Sequence, residues 1–162
     1  AFTPAAPVAV ITCRQRLARQ PALAGLKHLN RLEQVLARAE WRDPAIADGL
    51  MFDTDGLLVD GVSSNVFIVS GGHLLTPRLD QCGVAGVLRR LVIERVAPAA
   101  GFTVQEAELP AAMLDQADEL FLTSSLRGIL PVAAIDGRAL ATQQVTQRLQ
   151  RQLCEMETLG HV

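Results

Sequence analysis

DGLMFDTDGLLVDGVSSNVFIVSGGHLLTP, residues 48–77, sets four short apolar runs in close succession. The runs DGLMFD (48–53), GLLVD (56–60), SNVFIVS (64–70) and HLLTP (73–77) are rich in β-forming residues, and TDG, DGVS and SGG separate them. Each run is strand-length, and each separator has the glycine, aspartate or serine that a tight turn needs. The stretch therefore predicts an antiparallel meander.

Outward from this stretch, strands and helices mix without regular alternation. Upstream, VAVITCRQR (8–16) alternates apolar and polar residues and reads as a strand, and QPALAG is a turn-rich loop. From Lys27, Leu29, Leu32, Val35, Leu36 and Ala39 follow helical spacing, which predicts a helix ending before Asp43-Pro44. Downstream, 83–101 reads as an amphipathic helix, 102–109 as a strand and 110–116 as a short helix. Residues 118–125 and 129–137 read as strands, and 141–159 as a terminal helix. This order predicts an α+β fold, with a mixed or pseudo-barrel sheet and flanking helices.

The composition excludes several classes. A chain of 162 residues that is 49% hydrophobic and 20% charged suits one globular unit, not a disordered tail. A formal charge of −2 and 4% aromatic residues provide neither the basic surface nor the stacking platform of a nucleic-acid binder. No apolar run is long enough for a membrane helix. Cys13, Cys82 and Cys154 are odd in number and widely spaced, which suits reduced thiols in the cytoplasm. His28, His73 and His161 lack a second ligand at metal spacing and read as structural or exposed. The start, AFTPAAPVAV, lacks an initiator methionine and reads at once as a strand, so the chain is expected to be a piece whose N-terminal part is missing, with removal of the methionine alone as the plain alternative.

Lys27 is the one lysine beside fourteen arginines. Preceded by Leu-Ala-Gly-Leu, it is expected in an apolar, partly desolvated setting, where burial favours a neutral amine able to attack carbonyls. A surface lysine at a helix start is the plain alternative. Asp60 to Asn65 (DGVSSN) joins two predicted strands; it could be an ordinary turn or place an acid against a protonated ring nitrogen. Gly83-Val84-Ala85-Gly86 opens a helix whose first amides could hold a phosphate. Thr123-Ser124-Ser125 ends a strand with hydroxyls, a second possible phosphate contact. One lysine, one acid and two phosphate-type loops are the set that pyridoxal phosphate requires.

LAGLKHLNRLEQVLARAEW, SSNVF and LLTPRLDQCGVAGVLRR together resemble the fold-type IV pyridoxal-phosphate enzymes. Within them the chain is most similar to the 4-amino-4-deoxychorismate lyases, relatives of the D-amino-acid and branched-chain aminotransferases. The resemblance implies that residues 1–162 are the larger C-terminal lobe and that a small N-terminal lobe is absent. It makes Lys27 the Schiff-base lysine and Asp60 the pyridine-nitrogen partner, where the family normally has a glutamate one methylene longer. It places Asn65 beside the cofactor, and Val84, Ala85, Ser124 and Ser125 at its phosphate; the threonine hydroxyl of the aminotransferases is absent from the helix opening. The implied reaction turns aminodeoxychorismate into 4-aminobenzoate and pyruvate for folate synthesis, in a cytoplasmic homodimer with no metal, nucleic acid or membrane partner. The alternatives are an aminotransferase of the same fold type and a cofactor-free assembly lobe.

Overall fold

The computed structural model describes residues 2–160. Among them, nine strands form one mixed sheet. At its centre β1 (Val8–Leu17) lies parallel to both β2 (Ile46–Asp53) and β8 (Gly128–Ile135). β2 continues into an antiparallel hairpin with β3 (Leu58–Gly61), one edge of the sheet. On the other side β8 pairs with β7 (Glu119–Ser124), β7 with β4 (Asn65–Ser70) and β4 with β5 (His73–Pro77), all antiparallel. β6 (Val104–Ala107) closes the path, parallel to β5. A two-residue strand, β9 (Arg138–Ala139), adds to β8; the sequence pattern did not anticipate it.

The sheet curls until its edges meet. Leu58 N–H donates to the Leu109 carbonyl (2.8 Å) and Leu57 bridges Pro110, so β3 reaches the chain just beyond β6. The result is a mixed half-barrel with flanking helices, as the element order implied. Burial on both faces explains why the central strands read as near-continuous apolar runs. In β4, Val66 and Ile68 face the inner core with Leu120 and Leu122 of β7. Phe67 and Val69 face the outer core, where Phe67 stacks on its cross-strand partner Phe121 with centroids 4.8 Å apart.

Three helical segments cover the outer face. α1 (Leu32–Arg38) packs with Trp41 over Cys13, Met51 and Val59. α2 (Val87–Leu91) runs on through a π-helical turn, Val92–Val96, into α3 (Ala97–Ala99). After the short α4 (Ala112–Asp115), α5 (Gln144–Thr158) lays Leu149, Leu153 and Met156 beside Val92 and Val96. The buried Glu119 carboxylate caps α5, accepting the Val145 N–H (2.9 Å), the Thr146 N–H (2.8 Å) and the Thr146 hydroxyl (2.8 Å). These satisfy donors that the helix itself leaves open.

Two expectations are corrected. The 48–77 stretch is no continuous meander: it is two hairpins, β2–β3 and β4–β5, and β4 pairs with β7 instead of β3. The divide falls at the DGVSSN turn, because β4 finds in β7 a partner that buries both of its faces. The first helix begins at Leu32, not Lys27, and its expected core stripe is exposed: Leu29 at 101%, Leu32 at 65%, Val35 at 62% and Leu36 at 50%. It buries Gln34 and Ala37 instead. The three cysteines are free; burial pushes the thiols of Cys13 and Cys82 up to about 12. His73 is exposed, His28 is half-buried, and His161 lies outside the described residues.

Candidate functional site

Where β3 and β4 diverge, the sheet leaves a cavity of about 400 Å³. Its walls come from four segments far apart in the chain. The loop before α1 brings Lys27, and the strand ends that flank the β3–β4 turn bring Asp60 and Asn65. The α2 opening adds Val84 and Ala85, and the end of β7 adds Thr123, Ser124 and Ser125.

Backbone pairing fixes the lysine loop against the helix opening. Gln20 N–H donates to the Gln81 carbonyl (2.7 Å), Gly25 N–H to the Gly83 carbonyl (3.0 Å) and Ala85 N–H to the Gly25 carbonyl (3.0 Å). Lys27 follows two residues later. Gly83 has φ +87°, and a Cβ there would lie 2.6 Å from Val59 Cγ1 and 3.3 Å from Asp60 Oδ2, so only glycine permits this approach. Asn65 clamps the same turn: Nδ2 donates to the Val84 carbonyl (2.6 Å) and Oδ1 accepts the Gly86 N–H (3.2 Å). A Cβ on Gly86 would collide with Asn65 Oδ1.

Asp60 is buried, and its Oδ2 accepts the Val84 N–H (3.2 Å) while Oδ1 has no partner. Burial pushes its carboxyl up to about 7; the Val84 N–H and the charge of Arg31 pull it back, Asp48 pushes it further, and Lys27 lowers it. Thr123 Oγ1, also buried, has no partner either. Buried oxygens without hydrogen bonds are rare in folded chains. Two in the wall of one cavity mark a place that a ligand with a donor group completes. A ring N–H opposite a carboxylate, and a phosphate among hydroxyls, meet that chemistry.

Behind this wall lies a second polar cluster. Asp48, 1% exposed, accepts the Gly49 N–H (2.9 Å) and the hydroxyls of Ser63 (2.9 Å) and Ser64 (2.8 Å). Arg127 Nη2 also donates to it at 3.2 Å. Among the described residues no group of three potential metal-binding side chains occurs.

All seven residues singled out in the sequence, Lys27, Asp60, Asn65, Val84, Ala85, Ser124 and Ser125, line this one cavity. Two details differ from expectation. The Lys27 side chain is exposed, not sunk among apolar neighbours, because the leucines around it also face outward. The Val84 and Ala85 amides, expected at a phosphate, already serve Asp60 and Gly25 within the chain. By helix geometry the next N–H groups, of Val87 and Leu88, have no partner inside the helix. The sequence reading missed the wall residues Arg31 and Arg127. Arg31 lies four residues after Lys27 and Arg127 two after the Ser124-Ser125 pair, but nothing in the sequence sets them apart from the other arginines.

The family model for amino-transferase class IV matches residues 1–135. The chain is 41% identical to an aminodeoxychorismate lyase of Vibrio harveyi over 123 residues, which is 76% of this chain and 45% of that protein. It superposes on the crystal structure of a Pseudomonas aeruginosa 4-amino-4-deoxychorismate lyase with TM-score 0.87 at 49% identity, covering 92% of this chain and 55% of the other. A branched-chain amino acid aminotransferase from T.th., solved with pyridoxamine 5'-phosphate, superposes with TM-score 0.81 at 26% identity, over 96% of this chain and 52% of that one. The chain thus spans about half the length of these three relatives.

Proposed function

The chain belongs to the amino-transferase class IV family, and from that premise we propose that it is the larger C-terminal lobe, residues 1–162, of a pyridoxal-phosphate-dependent aminodeoxychorismate lyase. One observation carries the reading: seven residues chosen from the sequence, from four separate segments, surround one cavity that has two unpartnered buried oxygens. The lyases of Vibrio harveyi and Pseudomonas aeruginosa support the choice of reaction. The intact protein converts 4-amino-4-deoxychorismate to 4-aminobenzoate and pyruvate in folate synthesis, in the cytoplasm. It acts as a homodimer, which the exposed leucines before and along α1 support. No helix among the described residues is long and apolar enough to cross a membrane.

The cofactor supplies an aldehyde that condenses with amines and a protonated ring that accepts electrons. Lys27 would hold it covalently, Asp60 would pair with its ring nitrogen, and Ser124, Ser125 and the α2 opening that follows Val84 and Ala85, whose own amides are already paired, would hold its phosphate. Asn65 orients that opening by gripping the 84–86 turn from both sides. Asp60 binds a proton near neutral pH when it stands alone; a cationic N–H opposite Oδ1 draws it to the carboxylate form. Lys27 Nζ, exposed in the cavity, carries a proton between the positions on the substrate where one is lost and one is gained.

Adding pyridoxal phosphate to the full-length protein, reducing with borohydride and mapping the modified peptide tests the reading. The label is expected on Lys27, and aminodeoxychorismate is expected to release pyruvate. Labelling anywhere else, or none at all, ends the enzymatic interpretation. The aminotransferase structure favours a second reading, transfer of an amino group from a D- or branched-chain amino acid to 2-oxoglutarate. Formation of glutamate without pyruvate would select it over the lyase.

A further inference from the structure

The cavity wall has three cations, Lys27, Arg31 and Arg127, against one carboxylate, Asp60. Lys27 is committed to the cofactor. Arg31 Nη2 donates to the Val62 carbonyl (3.3 Å), and its charge acts on Asp60. Arg127 is different. Its guanidinium is pinned from behind, with Nη1 on the Ala47 carbonyl (3.3 Å) and Nη2 on both Asp48 Oδ2 (3.2 Å) and Ser63 Oγ (3.2 Å). Its own backbone N–H donates to Ser124 Oγ (3.2 Å), tying it to the end of β7. These contacts occupy part of a five-donor planar fork, and the side chain is still 36% exposed at the cavity.

Arg127 is the countercharge of the buried Asp48, which also holds the Gly49 amide and two serine hydroxyls, and this pairing fixes the guanidinium at the cavity wall. The arginine is held at a fixed angle in the wall of an otherwise cation-rich cavity, and a planar fork suits a planar carboxylate. Resting on the lyase reading, we infer that Arg127 is the substrate-specificity residue of this site, binding a carboxylate of the substrate, with Asp48 and Ser63 as its positioning residues. 4-Amino-4-deoxychorismate carries two carboxylates; one leaves in pyruvate and one stays on 4-aminobenzoate. The cofactor's phosphate is the other anion that could reach the same donors.

The test uses the full-length protein loaded with pyridoxal phosphate, and the variants Arg127→Gln and Arg127→Lys. Equilibrium binding of 4-aminobenzoate and of pyruvate is measured alongside KM and kcat for aminodeoxychorismate and the affinity for the cofactor. In Arg127→Gln at least one product should bind roughly 10- to 100-fold more weakly, the size of a lost charge-assisted hydrogen bond. KM should rise in step, with the loss falling on KM more than on kcat and with cofactor affinity kept. Arg127→Lys, which retains the charge beside Asp48 and guards against a folding defect, should show a smaller weakening because the fork is gone. Unchanged binding of both products in a folded variant overturns the assignment. So does a roughly 10-fold drop in cofactor affinity with product binding intact, since the anion would then be the phosphate. A wild-type protein that releases no pyruvate sinks the lyase reading by itself, whereas the Arg127 assignment stands or falls on the ratio between variant and wild type.

Discussion

The α5 end of the sheet and the cavity end each bury a carboxylate and each present an amphipathic helix, with opposite outcomes. Glu119 accepts three hydrogen bonds from the first turn of α5, and that helix buries Leu149, Leu153 and Met156. Asp60 accepts one hydrogen bond and leaves Oδ1 open, and α1 nearby turns Leu32, Val35 and Leu36 outward. One end is complete within the chain. The other has unmet hydrogen-bonding capacity inside and unburied apolar surface outside, which is how a chain looks where it is shaped for something else to bind. The same local pattern, apolar residues at helical spacing, therefore does not distinguish a core-facing helix from a partner-facing one.

The largest effect that could break this contrast is at Lys27. Lys27→Ala in the full-length protein should abolish borohydride-stable labelling and lower turnover at least about 1,000-fold, while leaving the melting transition in place. Leu149→Ala should do the reverse: a destabilisation of about 2–5 kcal/mol in denaturant titration, from a side chain with no exposed surface. A loss below 1 kcal/mol would mean that the α5 end is not the packed end.

Asp60 offers a pH test. Its folded pKa of about 7 lies above the ordinary carboxylate value of 3.8, so between those values the folded chain binds more protons than the unfolded one. Stability therefore falls as pH rises from about 4 to 7, by up to about 4 kcal/mol. Asp60→Asn, which cannot ionise, should remove that slope, and added pyridoxal phosphate should reduce it in the wild type by giving Oδ1 a donor. An identical slope in wild type and variant, measured by melts across that pH range, would show that Asp60 is not the strained group.

The difference between the two ends also accounts for what could be read in the sequence. Residues whose partners lie in the same chain announced themselves through local pattern: the near-continuous apolar runs of β4 and β7, buried on both faces. Lys27, Asp60 and the two phosphate-type loops were legible from their chemical types, and the family resemblance singled out Asn65, Val84, Ala85, Ser124 and Ser125, although four separate segments supply these cavity residues. The split of the 48–77 stretch into two hairpins was not legible, because β4 chooses β7 on the strength of two-sided burial with a strand some fifty residues away. Arg31 and Arg127 were not legible either. Among fourteen arginines, only the folded neighbourhood separates one pinned behind a cavity wall by Asp48 from one in solvent.

The smallest effect on folding is expected on α1, and it tests the comparison most directly. Val35→Ser with Leu36→Ser changes residues that are 62% and 50% exposed, so this chain's stability should shift by no more than about 0.5 kcal/mol per site. The Leu149→Ala change, on a helix of similar pattern, costs several times that. If α1 is instead part of a surface covered in the full-length homodimer, the same double change should raise the dimer dissociation constant, read by analytical ultracentrifugation across a dilution series. A large loss of stability in the monomer would place α1 among the core helices. An unchanged dimer constant would leave the outward leucines without the partner that their exposure implies.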